Sequence, residues 1–333
     1  MKSILLNNYL DEAKNVYAQR FIDWLKNEAG LMDEGVTKEE LFNSPEKFID
    51  VEYVFSTWGM PVLTEEEIKK YLPSLKCVFF GAGSVQHFAL PFLNCGIKVF
   101  SAWGANAVPV AEYTVAQIIL ANKGFFASSR MMKSQGYSDA AKRVREFSGN
   151  YGETVGIIGA GAIGKLVIKK LKDYKLNVLV FDPFLPDETA EELGVKKVSL
   201  KEIFSNCAVI SNHLANNEQT QHILNYDLFS LVGRNVTFLN TGRGAQVLEE
   251  DLIKVLKEKP DFTAILDVTF PEPPVDGSEL YTLENCIITP HIAGSSGNEP
   301  QRLAEYMLNA FKLYMNNIPC DYEVTKEMLQ TMA

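Results

Sequence analysis

Residues 153–184 read ETVGIIGAGAIGKLVIKKLKDYKLNVLVFDPF, and this stretch decides the fold. An apolar run, Val155 to Ile158, leads into Gly159, Gly161 and Gly164, the spacing GxGxxG. A helical pattern follows, and a second apolar run ends in Asp182, about 20 residues on, as a dinucleotide-binding βαβ unit requires. The first two glycines allow a tight turn and close approach of a pyrophosphate. The third lets the helix pack on the strand, and the helix N-terminus offers amide donors to phosphate. A carboxylate at Asp182 would accept hydrogen bonds from the adenosine ribose hydroxyls and repel a 2′-phosphate. Pro183, Phe184 and Leu185 supply no Arg to welcome one, so the stretch predicts NAD over NADP.

Downstream lie three charged or titratable residues in order: Arg243 in VTFLNTGRGAQ, Glu272 in TAILDVTFPEPP and His291 in NCIITPHIAG. Arg243 and His291 directly follow strand-like runs, and Glu272 sits just past Asp267. Ligands of open parallel sheets bind beyond the carboxyl ends of the strands, which makes these positions candidate site residues. An anion clamp, a carboxylate and an imidazole are the parts needed to hold a carboxylate substrate and move a proton beside it.

With these motifs in place, the chain resembles the NAD-dependent D-2-hydroxyacid dehydrogenases, including phosphoglycerate dehydrogenase-like and glyoxylate or hydroxypyruvate reductase-like members. The resemblance covers GIKVFSAWGANAVPVAEYTVAQIIL, VGIIGAGAIG, SNHLANNEQT, LNTGRGA, LDVTFPEPP and ITPHIAG, all in family order. It implies two Rossmann-like, doubly wound α/β domains with the active site in the cleft between them. The NAD-binding domain would span 106–295, and a discontinuous substrate domain 1–105 and 296–333. It makes Arg243 the binder of the substrate carboxylate, His291 the acid/base and Glu272 its partner. Cofactor contacts extend from the glycines to Ala162, Ile163, Thr241, Gly294 and Asp267, the last holding the nicotinamide carboxamide. His213, at the end of AVISNHL, either lies near the nicotinamide ribose or serves the structure. In the substrate domain, the loop FFGAGSV either offers the Ala82 and Gly83 amides to the carboxylate or is a plain turn, and Trp58 in STWGM either walls the pocket or packs in a core or an interface. A homodimer joined through the NAD-binding domains is also implied.

The chemistry expected of these residues is a hydride transfer between C2 of a small 2-hydroxy acid and the nicotinamide. His291 takes the hydroxyl proton or, in reverse, gives one to the carbonyl oxygen. Glu272 would favour the imidazolium and fix the ring. A binding protein on the same scaffold, such as a dinucleotide-sensing corepressor, is the alternative, but it has no need of all three residues.

Composition agrees. The 333 residues are 47% hydrophobic and 22% charged, enough for about two buried cores. Thirty-two basic against 42 acidic residues give −10, which disfavours nucleic acid or an acidic membrane as partner. No run of about 18 apolar residues occurs, and MKSILLNNYLDEAK turns polar too soon for a signal peptide, so a cytoplasmic protein is expected. The five cysteines, Cys77, Cys95, Cys207, Cys286 and Cys320, show no CxxC pair and read as reduced, mostly buried thiols without a metal. His87 and His222 lack ligand-spaced partners.

In the N-terminal part SILLNN, VEYVFST, KCVFFGA and IKVFSAW read as buried strands. DEAKNVYAQRFIDWLKNEAG and TEEEIKKYL read as helices, the latter opened by a Thr64–Glu67 capping box. Val110 to about Met132 reads as one long helix, and 299–316 as a last helix packing on the N-terminal part. Fewer than about 20 residues follow, too few for a regulatory domain. Departures from the family pattern are HLANNEQT, expected to be a looser loop, Gln86, His87 and Phe88 in the first loop, and Gly242 before Arg243, which reads as a mild change.

Overall fold

The structure is a computed structural model, and it describes residues 1–330; the last three residues of the expected substrate segment, 331–333, lie outside them. The chain divides into two compact units, Met1–Asn106 with the segment from Ser295 onward, and Ala107–Gly294. Strands β1 (Ser3–Leu6), β2 (Leu31–Val36), β3 (Tyr53–Ser56), β4 (Cys77–Phe80) and β5 (Lys98–Ser101) belong to the first unit. The second holds β6 (Tyr151–Ile158), β7 (Lys175–Phe181), β8 (Lys196–Lys197), β9 (Val209–Asn212), β10 (Thr237–Asn240), β11 (Thr263–Leu266) and β12 (Cys286–Ile288). A final strand, β13 (Glu323–Val324), returns to the first unit.

The first sheet has the order β13-β5-β4-β3-β1-β2, parallel except for β13, which runs antiparallel to β5. The second runs β12-β11-β10-β9-β6-β7-β8, parallel throughout. Both are doubly wound α/β sheets, and both reverse strand order in mid-sheet, where ligands of such folds sit.

Parallel strands covered by helices must be apolar on both faces, and side chains alternate between the faces. In β4, Val78 and Phe80 join a core with Ile4, Phe88 and Phe92. Cys77 and Phe79 join another with Phe55, Phe100, Met307 and Phe311. The helix Pro300–Met315 therefore closes one face of the first sheet. In the second unit, Ile210 and Phe238 face a cluster with Phe204, Phe229 and Phe262, while Val209 and Leu239 face one with Ile157, Val167 and Ile168.

Two local expectations need revision, and one strand was not anticipated. The stretch read as one helix from Val110 is two, Trp103–Asn122 and Phe125–Ser134, because Gly124 adopts φ +66 and any Cβ there would strike the Phe147 ring. The stretch from Asp11 to Gly30 is likewise two helices, Leu10–Val16 and Gln19–Glu28, broken where Ala18 is extended. Leu31–Val36 forms a strand although it carries Asp33 and Glu34, and it stands at the edge of its sheet, where polar residues are tolerated. The Thr64–Glu67 capping box is present. Among the described residues, no helix is long and apolar enough to cross a membrane.

Candidate active site

In the second unit, the carboxyl ends of six parallel strands carry every candidate residue of that unit. Gly159 follows β6, Asp182 follows β7 and His213 follows β9; Thr241 to Arg243 follow β10, Asp267 follows β11, and Thr289 to His291 follow β12. The strand order turns back at β6, beside β9, so the glycine turn lies at the switch point.

The three glycines meet three different constraints. Gly159 has φ +89, and a Cβ there would lie 2.7 Å from the His213 carbonyl oxygen. Gly164 faces the Gly159 carbonyl so closely that no side chain fits, which seats the helix Ala162–Leu171 on the turn. At Gly161 a Cβ would meet nothing within 4 Å. Packing therefore demands the first and third glycines, and the second stands beside open space. The helix has no side-chain cap at its N-terminus, so the first-turn amides of Ala162 and Ile163 remain for an anion such as a pyrophosphate. Asp182 accepts hydrogen bonds from the Ala160 amide at 2.7 Å and the Phe184 amide at 2.8 Å, which ties the end of β7 to the turn. A carboxylate has about four lone-pair sites, so two remain for ribose hydroxyls. The turn fits a dinucleotide.

Arg243, Glu272 and His291 come together. His291 Nδ1 lies 2.7 Å from Glu272 Oε1. An ionised carboxylate only accepts, so Nδ1 carries the proton toward Glu272 and Nε2 is left to face a substrate. The two side chains are 50% and 42% exposed, open enough to exchange protons with a small molecule. Burial pulls the Arg243 pKa below its usual value, and the nearby Glu272 charge opposes that shift. The Arg243 guanidinium donates to the Gly242 carbonyl at 2.8 Å, and among the described residues it makes no ion pair. Its remaining donors suit a carboxylate.

Backbone constraints set these side chains. His291 sits at φ +54, the left-handed region that costs a non-glycine residue about 1–2 kcal/mol. Its amide is held by the carbonyls of Asp267 at 3.1 Å and Thr289 at 3.0 Å. The buried Asp267 carboxylate accepts from Thr289 Oγ1 at 2.5 Å and from the Ile292 and Ala293 amides, both at 2.8 Å. Asp267, read from sequence as a nicotinamide contact, is thus the anchor of the loop carrying His291 and Gly294. Gly244 packs against the Thr269 backbone too tightly for any side chain, which brings the Arg243 turn onto the segment leading to Glu272.

A buried amide network beneath Arg243 escaped the sequence reading. Asn212 Nδ2 donates to Asn240 Oδ1 at 3.0 Å and to Gln246 Oε1 at 2.6 Å; Gln246 Nε2 donates to the Leu214 and Ala215 carbonyls. Asn240 Oδ1 accepts from the Gly242 amide, and Asn240 Nδ2 donates to the Arg243 carbonyl. Asn212 and Asn240 are register partners on adjacent strands, and a carboxamide ending each of two apolar runs was the available signal. Gly242 stands against this network: a Cβ there would lie 3.0 Å from Gln246 Oε1 and 3.1 Å from Asn212 Nδ2, a tight fit that the carboxamides would have to relieve by a small shift. The loop after His213, expected to be loose, is closed by Thr220 Oγ1 on the Ala215 carbonyl at 2.7 Å and by the Asn217 amide on Thr220 Oγ1 at 3.0 Å.

His213 is buried, its ring between Ser211 Oγ at 2.9 Å and Thr241 Oγ1 at 3.4 Å. Burial pushes its pKa down from 6.5 to about 3, so the ring is neutral at ordinary pH. Burial also raises the thiol pKa values of Cys207 and Cys286, each to about 12, leaving them poor nucleophiles. In the first unit, the Ala82 and Gly83 carbonyls accept from Ser101 Oγ at 3.0 and 2.6 Å, and neither amide donates to a backbone acceptor among the described residues. Trp58 is 38% exposed, and its carbonyl is held by Asn7 Nδ2 at 2.8 Å. Its ring therefore does not belong to a core.

A glycine turn at the switch point and an Arg–Glu–His cluster at the carboxyl ends of the same sheet define a Rossmann-like α/β unit whose turn fits a dinucleotide. The family model described as "D-isomer specific 2-hydroxyacid dehydrogenase, NAD binding domain" matches residues 115–293, and the chain belongs to this family. It is 37% identical over 205 residues to a putative 2-hydroxyacid dehydrogenase, YoaD, of Bacillus subtilis, covering 60% of this chain and 59% of that one. To a D-3-phosphoglycerate dehydrogenase of Methanocaldococcus jannaschii it is 33% identical over 272 residues, 81% of this chain and 50% of the relative. The chain thus spans between half and three fifths of the length of these relatives. Its fold matches that of the NAD-complexed D-isomer specific 2-hydroxyacid dehydrogenase of Lactobacillus delbrueckii ssp. bulgaricus, with a TM-score of 0.77, 18% identity, and coverage of 98% of this chain and 100% of that one.

Proposed function

We propose that the chain is an NAD-dependent dehydrogenase interconverting a small D-2-hydroxy acid and its 2-oxo acid. The observation that carries this reading is the 2.7 Å pairing of His291 with Glu272, beside an Arg243 that forms no ion pair among the described residues. A pure dinucleotide sensor needs no such assembly, so the corepressor alternative is not favoured.

The bound nicotinamide supplies the hydride acceptor or donor for C2. Arg243 grips the substrate carboxylate and sets the face of C2 presented to the cofactor. His291 Nε2 gives its proton to the carbonyl oxygen during reduction and takes it back during oxidation. Glu272, 2.7 Å from Nδ1, fixes the orientation of the ring so that Nε2 faces the substrate. Gly159, Gly161, Gly164, Ala162 and Ile163 would hold the pyrophosphate, Asp182 the adenosine ribose, and Thr241, Asp267 and Gly294 would border the nicotinamide. The unit 107–294 is assigned cofactor binding. The other unit is assigned substrate recognition, with Ala82, Gly83 and Trp58 as its substrate-binding residues. We further propose a cytoplasmic homodimer joined through the NAD-binding unit, supported by exposed Phe125, Met132 and Tyr137 on its helices and by the family. Light scattering that returns a persistent monomer mass would count against the dimer.

The test is a panel of 2-oxo acids, glyoxylate, hydroxypyruvate and pyruvate among them, scanned for NADH and NADPH oxidation. At least one acid should be reduced, with kcat/KM higher for NADH. No turnover across the panel, or a preference for NADPH, would contradict the proposal.

A further inference from the structure

Residues 113 and 114 of the helix Trp103–Asn122 both bond to loops of the candidate site. Thr114 Oγ1 lies 3.3 Å from Thr241 Oγ1, two residues before Arg243. The Tyr113 hydroxyl lies 3.3 Å from Thr289 Oγ1, two residues before His291. Thr289 Oγ1 is also 2.5 Å from Asp267 Oδ1. A carboxylate can only accept, and a threonine hydroxyl has one proton, so Thr289 spends that proton on Asp267. Tyr113 must then be the donor to Thr289, and the bonds run in one direction, from Tyr113 to Thr289 to Asp267.

Asp267 sits at the centre of the His291 loop. Its two carboxylate oxygens hold the Ile292 and Ala293 amides, and its backbone carbonyl holds the His291 amide. His291 keeps a left-handed backbone, a conformation that persists only where its surroundings over-determine it. A hydroxyl that fixes Thr289 therefore fixes the carboxylate rotamer on which the loop depends, and with it the direction of the imidazole.

We propose that Tyr113 is a positioning residue for proton transfer at His291, acting through Thr289 and Asp267. This rests on the dehydrogenase reading above. It needs no direct contact between the phenol and the substrate, so its effect falls on the chemical step and not on carboxylate binding by Arg243.

Tyr113→Phe deletes one oxygen from a partly exposed ring and leaves the apolar packing in place. The variant should lower kcat for 2-oxo acid reduction about 3- to 10-fold while the KM for the acid stays within about twofold. Amide hydrogen exchange at Ile292 and Ala293 should accelerate about tenfold, with the Leu239 amide in β10 unchanged. Thr289→Ser, which keeps the hydroxyl, should retain most of the activity. Thr289→Val, which removes both bonds of the chain, should lose at least as much as Tyr113→Phe, and adding Tyr113→Phe to it should cause no further loss. Wild-type kcat and wild-type exchange in Tyr113→Phe would overturn the proposal. Faster exchange with unchanged kcat would also overturn it, leaving a structural brace only, and so would additive losses in the double variant. His291→Ala, run alongside, separates the two levels. If that variant is inactive while Tyr113→Phe is normal, only the positioning role fails. If it turns over like wild type, the dehydrogenase reading fails and carries the proposal with it.

Discussion

The glycine turn and the Arg243 turn lie on one edge of one sheet, yet they are built by opposite means. At 159–164 the conformation is dictated locally, by which residues lack a side chain. At 240–246 it is dictated by carboxamides from β9, β10 and the turn itself, brought together only when the strands pair. A local device announces itself in sequence by its spacing. A network assembled across strands does not.

The largest loss is expected from breaking the second device. Gln246→Leu leaves Asn212, the Arg243 amide and two loop carbonyls without their partner, at about 1–3 kcal/mol for each unsatisfied group. Denaturant unfolding should show a loss of several kcal/mol; a loss under about 1 kcal/mol would mean that water or neighbours replace the amide. The glycine turn can be dissected next. Gly164→Ala should cost about 1–3 kcal/mol through overpacking against Gly159. Gly161→Ala should change stability by less than about 0.5 kcal/mol, since nothing is close, yet weaken NADH binding in a fluorescence titration. Equal stability losses at the two glycines would erase the distinction drawn between them.

The physical reason for what was legible follows from particular residues. The alternating strands, the Thr64–Glu67 capping box and the GxGxxG turn depend on neighbours within a few positions, and the sequence displays them. Arg243, Glu272 and His291 were visible because chemistry-bearing residues stood after apolar runs. That they meet depends on parallel pairing of β10, β11 and β12, which the βαβ alternation implied. Asn212, Asn240 and Gln246 look like ordinary polar residues until β9 and β10 are laid side by side. Asp267 reads from sequence as a nicotinamide contact; its three donors come from residues 22 to 26 positions later, a distance no local pattern reports. The split of the long helix falls at Gly124, which has a left-handed backbone and leaves no room for a side chain beside the Phe147 ring.

A smaller effect sharpens the comparison through pH. His213 lies between the two devices, its carbonyl against Gly159 and its ring on Thr241. Buried, it stays neutral until about pH 3, whereas in the unfolded chain it takes up a proton below about 6.5. Its folded pKa is depressed, so its contribution to stability is complete above about pH 6.5 and is lost as pH falls toward 3. The slope is at most about 1.4 kcal/mol per pH unit. Urea unfolding at pH 7 and pH 5 should show a shallower acid loss in His213→Gln than in wild type. Parallel losses would mean that the ring is hydrated or already charged when folded.

The central claim is that His291, oriented by Glu272, moves the proton. The most direct measurement is kcat for reduction of an accepted 2-oxo acid by His291→Ala, with NADH affinity measured on the same preparation. In this variant kcat should fall about 10²- to 10⁴-fold with NADH binding unchanged. Turnover at the wild-type rate would contradict it.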